Sequence, residues 1–346
     1  MNMENSLKEL SKGCRLCQQG RWLCIFLTYK CSAKCHFCAA PFKDDRIISA
    51  FGSKKEEILN YLLKYDFEGI SFSGGDPFIV FDRLMEWFIY FKKHLPDYYY
   101  WVYTNGLDAD KGKLEQLASA GMDEIRFNIA ATGYISQPVW ESIKISRGLF
   151  PFVSVEIPSI KKDSHLLEAA LEALETIGVD YLNLHDYILS ESDAAGIDEK
   201  PENFILNKTS YLKYAPSSLA NTGEIINKAF EKGYHFQINH CSMQQKELQM
   251  TSRRIKMGKI FCDPEYDLML EDGTICNYYD IISEIDADEL KKILSDRKFP
   301  AELMTQRIKT ADMAGIRKDG HKIIKASYIP KMEVNRGKIL LGISII

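Results

Sequence analysis

Between residues 22 and 185, short apolar β-rich runs alternate with segments of helical periodicity, and this cadence restricts the fold more than any other feature of the chain. The runs are 22–29, 69–73, 98–103, 124–129, 152–157 and 180–185. Helical patterns fill the gaps at 54–64, 81–93, 111–120, 139–147 and 164–177. Parallel strands need a crossover of a dozen or more residues, normally a helix, so six such units predict an α/β fold built on a parallel sheet. Gly121 stands where a helix C-cap favours glycine.

After His185 the cadence breaks. Residues 189–216 are polar and hold Glu191, Asp193, Asp198 and Glu199, a pattern that fits a lid or a solvated loop. A helix at 222–232 and a strand at 235–239 follow. Glu271-Asp272-Gly273 is a turn signal that predicts a hairpin over 263–280. A helix at 287–297 and closing strands at 322–328 and 338–343 complete the chain. The expected division is an N-terminal cysteine-containing segment at 1–20, a core at 21–220 and a small cysteine-containing C-terminal extension at 221–346. Of 346 residues, 46% are hydrophobic and 27% charged, which is globular composition and excludes disorder. A net charge of −4 gives no nucleic-acid signal. No apolar run reaches the roughly 20 residues of a membrane span. The opening MNMENSLKEL lacks the apolar core of a secretory signal, so the sequence predicts a cytoplasmic protein.

The nine cysteines are unevenly placed: six lie between Cys14 and Cys38, and Cys241, Cys262 and Cys276 lie near the other end. Cys31-Ser-Ala-Lys-Cys35-His-Phe-Cys38 falls between the first strand and the first helix. Three soft thiolates at this spacing can converge on one iron–sulfur cluster or on zinc. A closed zinc site normally takes four protein ligands, and only three are present here. On a 4Fe–4S cluster, three thiolates would leave one iron open.

In these residues the chain resembles the radical S-adenosylmethionine (radical SAM) superfamily. That signature has the spacing of Cys31, Cys35 and Cys38 and an aromatic residue at the place of Phe37, which the resemblance sets near the SAM adenine. The second strand ends in Ser73-Gly74-Gly75-Asp76-Pro77, similar to the family's Gly-Gly-Glu/Asp-Pro turn. Asp76 stands where Glu is commoner. The resemblance implies that this turn bonds the SAM amino group, and glycines permit close backbone approach there. It places Thr104 and Asn105, in Thr104-Asn105-Gly106, around the SAM ribose and methionine. Asn128 is placed for the ribose or carboxylate, with Glu156, Asn183 and His185 at later strand ends. Ordinary strand-end capping stands as the alternative for these last four. The implied architecture is a partial (β/α)6 TIM-type barrel with the cysteine-containing extension behind it.

The implied activity is reductive cleavage of S-adenosylmethionine at a 4Fe–4S cluster, giving a 5′-deoxyadenosyl radical that takes hydrogen from a small molecule or from a peptide or protein. An external electron donor such as a flavodoxin or ferredoxin would supply the electron. No fused peptide-recognition domain is evident in the pattern, which favours a small molecule or a free-standing partner. Cys24 reads as a small core residue. Cys14, Cys17, Cys241, Cys262 and Cys276 form a candidate auxiliary site for a second Fe–S cluster or zinc, with ordinary thiols as the alternative. The Cys262–Gly273–Cys276 hairpin resembles the opening of an auxiliary-cluster module, but no cysteine follows Cys276. Arg253, Arg254, Lys256 and Lys259 could hold an anionic group or form a solvated helix face. Asn239-His240-Cys241-Ser242 with Lys246 is similar to radical SAM proteins grouped with pyruvate formate-lyase activating enzymes. An electron-transfer Fe–S protein and a zinc-binding interaction module are the competing classes.

Overall fold

The computed structural model describes residues 10–38, 54–189, 198–208, 210–262, 264, 267–277, 324–330 and 338–345. The chain divides into two compact units, Met1–Met250 and Thr251–Ile346. The division therefore falls about thirty residues after the 220/221 boundary expected from sequence, and the cysteine-containing helix Lys12–Gln18 lies inside the first unit.

In the first unit the elements run α1 (Lys12–Gln18), β1 (Trp22–Thr28), α2 (Lys55–Lys64), β2 (Gly69–Gly74), α3 (Phe81–His94), β3 (Tyr99–Thr104), α4 (Lys111–Ser119) and β4 (Glu124–Phe127). They continue through α5 (Gln137–Arg147), β5 (Phe152–Ser159), α6 (Ser164–Ile177), β6 (Tyr181–Asp186), β7 (Ile188–Leu189), β8 (Glu202–Leu206), β9 (Ser210–Tyr214), α7 (Ser217–Lys232) and β10 (Gln237–Cys241). The main sheet is parallel and open, in the order β1-β2-β3-β4-β5-β6-β10. It has seven strands rather than the expected six. Helix α7 acts as one more crossover, and it lays the strand placed at 235–239 beside β6, with Asn239 opposite Asn183.

One sheet face is apolar and the other polar, as the two-residue period of strands requires. Ile70, Phe72, Tyr100, Val102, Ile125, Phe127, Val153, Val155, Leu182 and Leu184 are fully buried. Buried helix residues supply the apolar counterpart, among them Phe88 and Phe91 of α3, Leu114 and Leu117 of α4, and Leu171 and Leu174 of α6. The opposite face presents Ser71, Trp101, Tyr103, Glu124, Arg126, Ser154, Glu156, Asn183 and Asn239. Helix α1 covers part of it: Leu16 packs with Tyr99 and Trp101, and a Cβ on Gly13 would lie 2.5 Å from Arg126 Nη2. The polar stretch after β6, expected as a lid or loop, contains a small antiparallel sheet in the order β7-β9-β8. Asn207 and Lys208 turn its hairpin with positive φ.

Helix α8 (Met243–Phe261) runs across the boundary between the units. The second unit holds β11 (Asp267–Met269), β12 (Ile275–Asn277), β13 (Ile324–Pro330) and β14 (Lys338–Ile345), an antiparallel sheet in chain order. The hairpin expected at 263–280 is β11–β12, whereas the helix expected at 287–297 lies outside the described residues. Gly273 takes φ +80° because its turn runs against the Arg254–Ile255 backbone, where a Cβ would lie 2.3 Å from Ile255 N. Arg254 is 3% exposed and donates to the Asp272 carbonyl oxygen, so the basic run is not simply a solvated face. Among the described residues no helix is long and apolar enough to cross a membrane.

The Arg126 guanidinium is buried between two carboxylates. Its Nε and Nη2 donate to Glu124, and its Nη1 donates to Glu156 at 2.8 Å. Glu124 is fully buried and also accepts from Ser154 Oγ and Tyr99 OH. Arg126→Met should therefore cost about 3–5 kcal/mol, because it leaves a buried carboxylate unpaired. Adding Glu124→Gln should restore part of that loss. Urea midpoints of the single and double variants check both outcomes.

Candidate functional site

The cysteine triad leaves the C-terminal end of β1 on a loop that the next strand fastens down. Gly75 N donates to Thr28 O at 2.6 Å and Asp76 N to Lys30 O at 2.8 Å. Gly74 takes φ +130°, and a Cβ there would lie 2.0 Å from Thr28 O. A Cβ on Gly75 would lie 2.0 Å from Lys30 O. The glycines are needed because the exit of β1 crosses directly over the turn. The close approach expected for a ligand is taken up by the chain's own backbone at these two positions. Pro77 opens the short 3-10 turn Pro77–Val80, which Asp76 caps by accepting from Phe78 N at 2.9 Å.

Asp76 is fully buried. Besides Phe78 N, its carboxylate accepts from Thr104 Oγ1 at 2.9 Å and from Asn105 N at 2.8 Å. Burial pushes its pKa up to about 6 in spite of these donors. The carboxylate thus ties the end of β2 to the end of β3. Thr104 Oγ1 in turn accepts from Gly106 N. Asn105 Oδ1 accepts from Leu107 N at 2.9 Å, and Asn105 Nδ2 donates to Cys31 Sγ at 3.4 Å. Asn128 Oδ1 accepts from Ala131 N and caps the turn Ile129–Thr132, which ends β4 two residues earlier than the sequence pattern indicated. Capping, the alternative reading, is what the geometry gives Asn128.

The three thiols lie close enough to influence one another. Burial and the charges of Cys31 and Cys38 push Cys35 up to about 11. Burial raises Cys31 as well, against the N–H groups of Ala33 and Asn105. Phe37 packs on Ile160, Tyr187, Leu189 and Ala215, and the His36 ring meets both Phe37 and Tyr187 edge-on. These contacts pin the far end of the cysteine loop to the rim formed after β5 and β6. Among the described residues no three Cys, His, Asp or Glu side chains are drawn together as a metal-holding group. The loop fits a cluster through its donor chemistry: three soft thiols on one short fastened segment, with no fourth cysteine between Cys31 and Cys38.

Glu156, Asn183, His185, Asn239 and Cys241 line the polar face towards the same strand ends. Asn183 Nδ2 donates to Glu156 at 3.3 Å, and Asn239 Nδ2 donates to Asn183 Oδ1 at 3.1 Å. Burial, then the charge of Lys246, pushes His185 down to about 3, so its imidazole is neutral at ordinary pH. Asp186 pairs with His240 Nε2 at 2.9 Å and accepts from Met243 N at the start of α8. Cys14 donates to Asn183 Oδ1 at 3.5 Å, Cys17 to Gln249 Oε1 at 3.4 Å, and Gln249 Nε2 lies 3.9 Å from Cys241 Sγ. Three of the five auxiliary candidates therefore each contact a carboxamide in the first unit. Cys262 follows α8, and Cys276 stands on β12 in the second unit. The sequence reading did not single out Glu124 and Arg126. Their signal was two charges at alternate positions in an otherwise apolar strand, Glu124-Ile-Arg126-Phe.

The triad stands at the C-terminal edge of a parallel open sheet, and residues 25–144, which include it, match the family model of the radical SAM superfamily. The chain carries this match over about a third of its length. It is 24% identical over 326 residues to MJ0021 of Methanocaldococcus jannaschii, whose name is that of a glycyl-radical enzyme activating enzyme. The alignment covers 88% of this chain and 83% of that protein. Among solved structures it is similar to SuiB of Streptococcus suis bound to the precursor peptide SuiA, with a TM-score of 0.48, 13% identity and coverage of 66% and 51% of the two chains. Methylornithine synthase (PylB) matches with a TM-score of 0.40, 13% identity and coverage of 68% and 80%. The chain spans about half the length of SuiB.

The buried Asp76 gives a pH signature. Its pKa rises from 3.8 to about 6 on folding, so its contribution is most favourable below about pH 4 and is lost as pH rises through about 6. Relative to Asp76→Asn, the wild type should gain up to about 3 kcal/mol of stability as pH falls through that window. Denaturation of both proteins at matched pH values reads the difference. A difference independent of pH would contradict the raised pKa.

Proposed function

We propose that this protein is a radical SAM enzyme that activates a protein partner by abstracting hydrogen from it. What carries the reading is the triad loop, clamped at the C-terminal edge of a parallel sheet by the Gly74–Asp76 turn. Its presence in a chain aligned over most of its length with a protein named as an activating enzyme supports a protein substrate. A small-molecule substrate is the second reading, favoured by the charged and carboxamide-rich face beside the triad. When bound, a 4Fe–4S cluster and SAM would supply reductive carbon–sulfur cleavage and a primary carbon radical.

The chain's own part is to hold and orient. Cys31, Cys35 and Cys38 would hold the cluster and leave one iron free of protein. Phe37 and the Asp76–Thr104–Asn105 tie keep the loop in place. Glu156, fixed by Arg126 and Asn183, and the neutral imidazole of His185 offer polar contacts to a substrate group at the strand ends. An external low-potential donor, a flavodoxin or ferredoxin, would deliver the electron.

Anaerobic reconstitution followed by SAM and dithionite should yield 5′-deoxyadenosine. Cys31→Ala, Cys35→Ala and Cys38→Ala should each lower that yield at least about a hundredfold, since two thiolates cannot hold the cluster securely. Retained product in all three variants would overturn the assignment. A colourless protein containing zinc would favour the interaction module, and a reducible cluster that never cleaves SAM would favour electron transfer. A protein-based radical, detected by electron paramagnetic resonance when glycyl-radical enzymes are added, would identify the partner class. The triple-alanine variant also tests the remaining thiols. Metal retained there and lost on replacing Cys14, Cys17 and Cys241 would establish a second site. Their amide partners favour the opposite outcome, a metal-free protein.

A further inference from the structure

We infer that Asn105 is a positioning residue acting on the cluster through Cys31, and that its side-chain N–H makes the cluster easier to reduce. This rests on the reading of Cys31, Cys35 and Cys38 as cluster ligands. Sequence resemblance set Asn105 beside SAM. The geometry instead aims its Nδ2 at Cys31 Sγ, 3.4 Å away. Among the described residues, no other side-chain N–H is directed at a sulfur of the triad.

The amide has one chemically sensible orientation. Asn105 Oδ1 accepts from Leu107 N at 2.9 Å, so exchanging oxygen and nitrogen would set one donor against another. The residue's backbone N–H is held by Asp76 Oδ2 at 2.8 Å, and Asn105 is only 6% exposed. From the other side, Ser32 Oγ donates to Asp108 Oδ2 at 2.6 Å. The residue after Cys31 is thereby fastened to the same connection between β3 and α4 that carries Asn105. Donor and sulfur are held at both ends, which is what a tuning contact requires.

The physical consequence has a definite sign. Reduction adds one electron from an external donor, and part of the added charge spreads onto the ligand sulfurs. An N–H dipole pointing at Cys31 Sγ stabilises the more negative state and raises the reduction potential. No proton moves, because a carboxamide does not titrate. Without the contact the cluster would accept its electron less readily from a given donor and would hold it at a lower potential.

The test uses the full-length protein reconstituted anaerobically with iron and sulfide and titrated with dithionite, the reduced state being followed by electron paramagnetic resonance. Asn105→Leu keeps the shape and removes the donor without adding charge. Asn105→Asp keeps the acceptor for Leu107 N and replaces the donor by an acceptor. Both should retain wild-type iron and sulfide and become roughly tenfold harder to reduce, a shift of about 59 mV to more negative potential, with the Asp variant shifted at least as far. Wild-type potentials in both variants would overturn the inference. A shift in Asn105→Asp alone, with Asn105→Leu fully loaded, would make it an effect of charge and overturn it too. If Asn105→Leu fails to load, Asn105→Ala, which also removes the donor without adding charge, decides by its potential. Loss of iron from both would make Asn105 purely structural and end the proposal. A wild-type protein that takes up no cluster would instead fail the functional assignment itself.

Discussion

A single buried carboxylate holds the site together. Asp76 receives backbone donors from Phe78 and Asn105 and the Thr104 hydroxyl, so it joins the turn after β2 to the end of β3. Three donors converging in a water-free place call for an anion, and burial raises that anion's pKa to about 6. The consequences spread outward. With Asp76 in place, Gly74 and Gly75 lie flat under the exit of β1, and Asn105 faces Cys31. The cysteine loop is thus supported by two neighbouring strand ends, and its far end is closed by Phe37 on the Tyr187 cluster.

The polar face beside the loop follows a similar logic of paired burial. Arg126 satisfies Glu124 and Glu156 together, while Ser11 of the segment before α1 also accepts from its Nη2. A lone buried charge in this position would be costly, whereas an interlocked set of charges and hydroxyls fixes one arrangement. That arrangement sets the direction of Glu156 and, through it, of Asn183 and Asn239. Helix α1 therefore packs directly on the polar face of the main sheet. Gly13 is small where the helix crosses Arg126 and Trp101.

The strand–helix cadence was legible because it depends on local periodicity. All five crossover helices between residues 54 and 177 and the six strands around them occur within a few residues of the sequence pattern. The open parallel sheet gained a seventh strand, β10, whose run Gln237-Ile-Asn-His-Cys241 has little apolar character of its own. Its place beside β6 comes from pairing and from the crossover α7, neither of which a local pattern encodes. The β8–β9 hairpin was obscured in the same way, by charged neighbours on an exposed small sheet. The triad was legible from spacing alone, since three ligands within eight residues can meet without help from distant chain.

The sequence by itself determined an α/β chain with parallel units, three thiols on the first loop, and a glycine turn at the end of the second strand. Those properties reside in neighbouring residues and in the chemistry of their side chains. Only the tertiary structure decided what the turn does. Asp76 meets its partners at Thr104 and Asn105, 28 and 29 residues further on. Arg126 meets Glu156 across thirty residues and Ser11 across 115. Cys14 and Asn183 are separated by 169. Such contacts are created by the order and register of the strands, which place side chains of the same parity on one face, so their roles exist only once the sheet has formed.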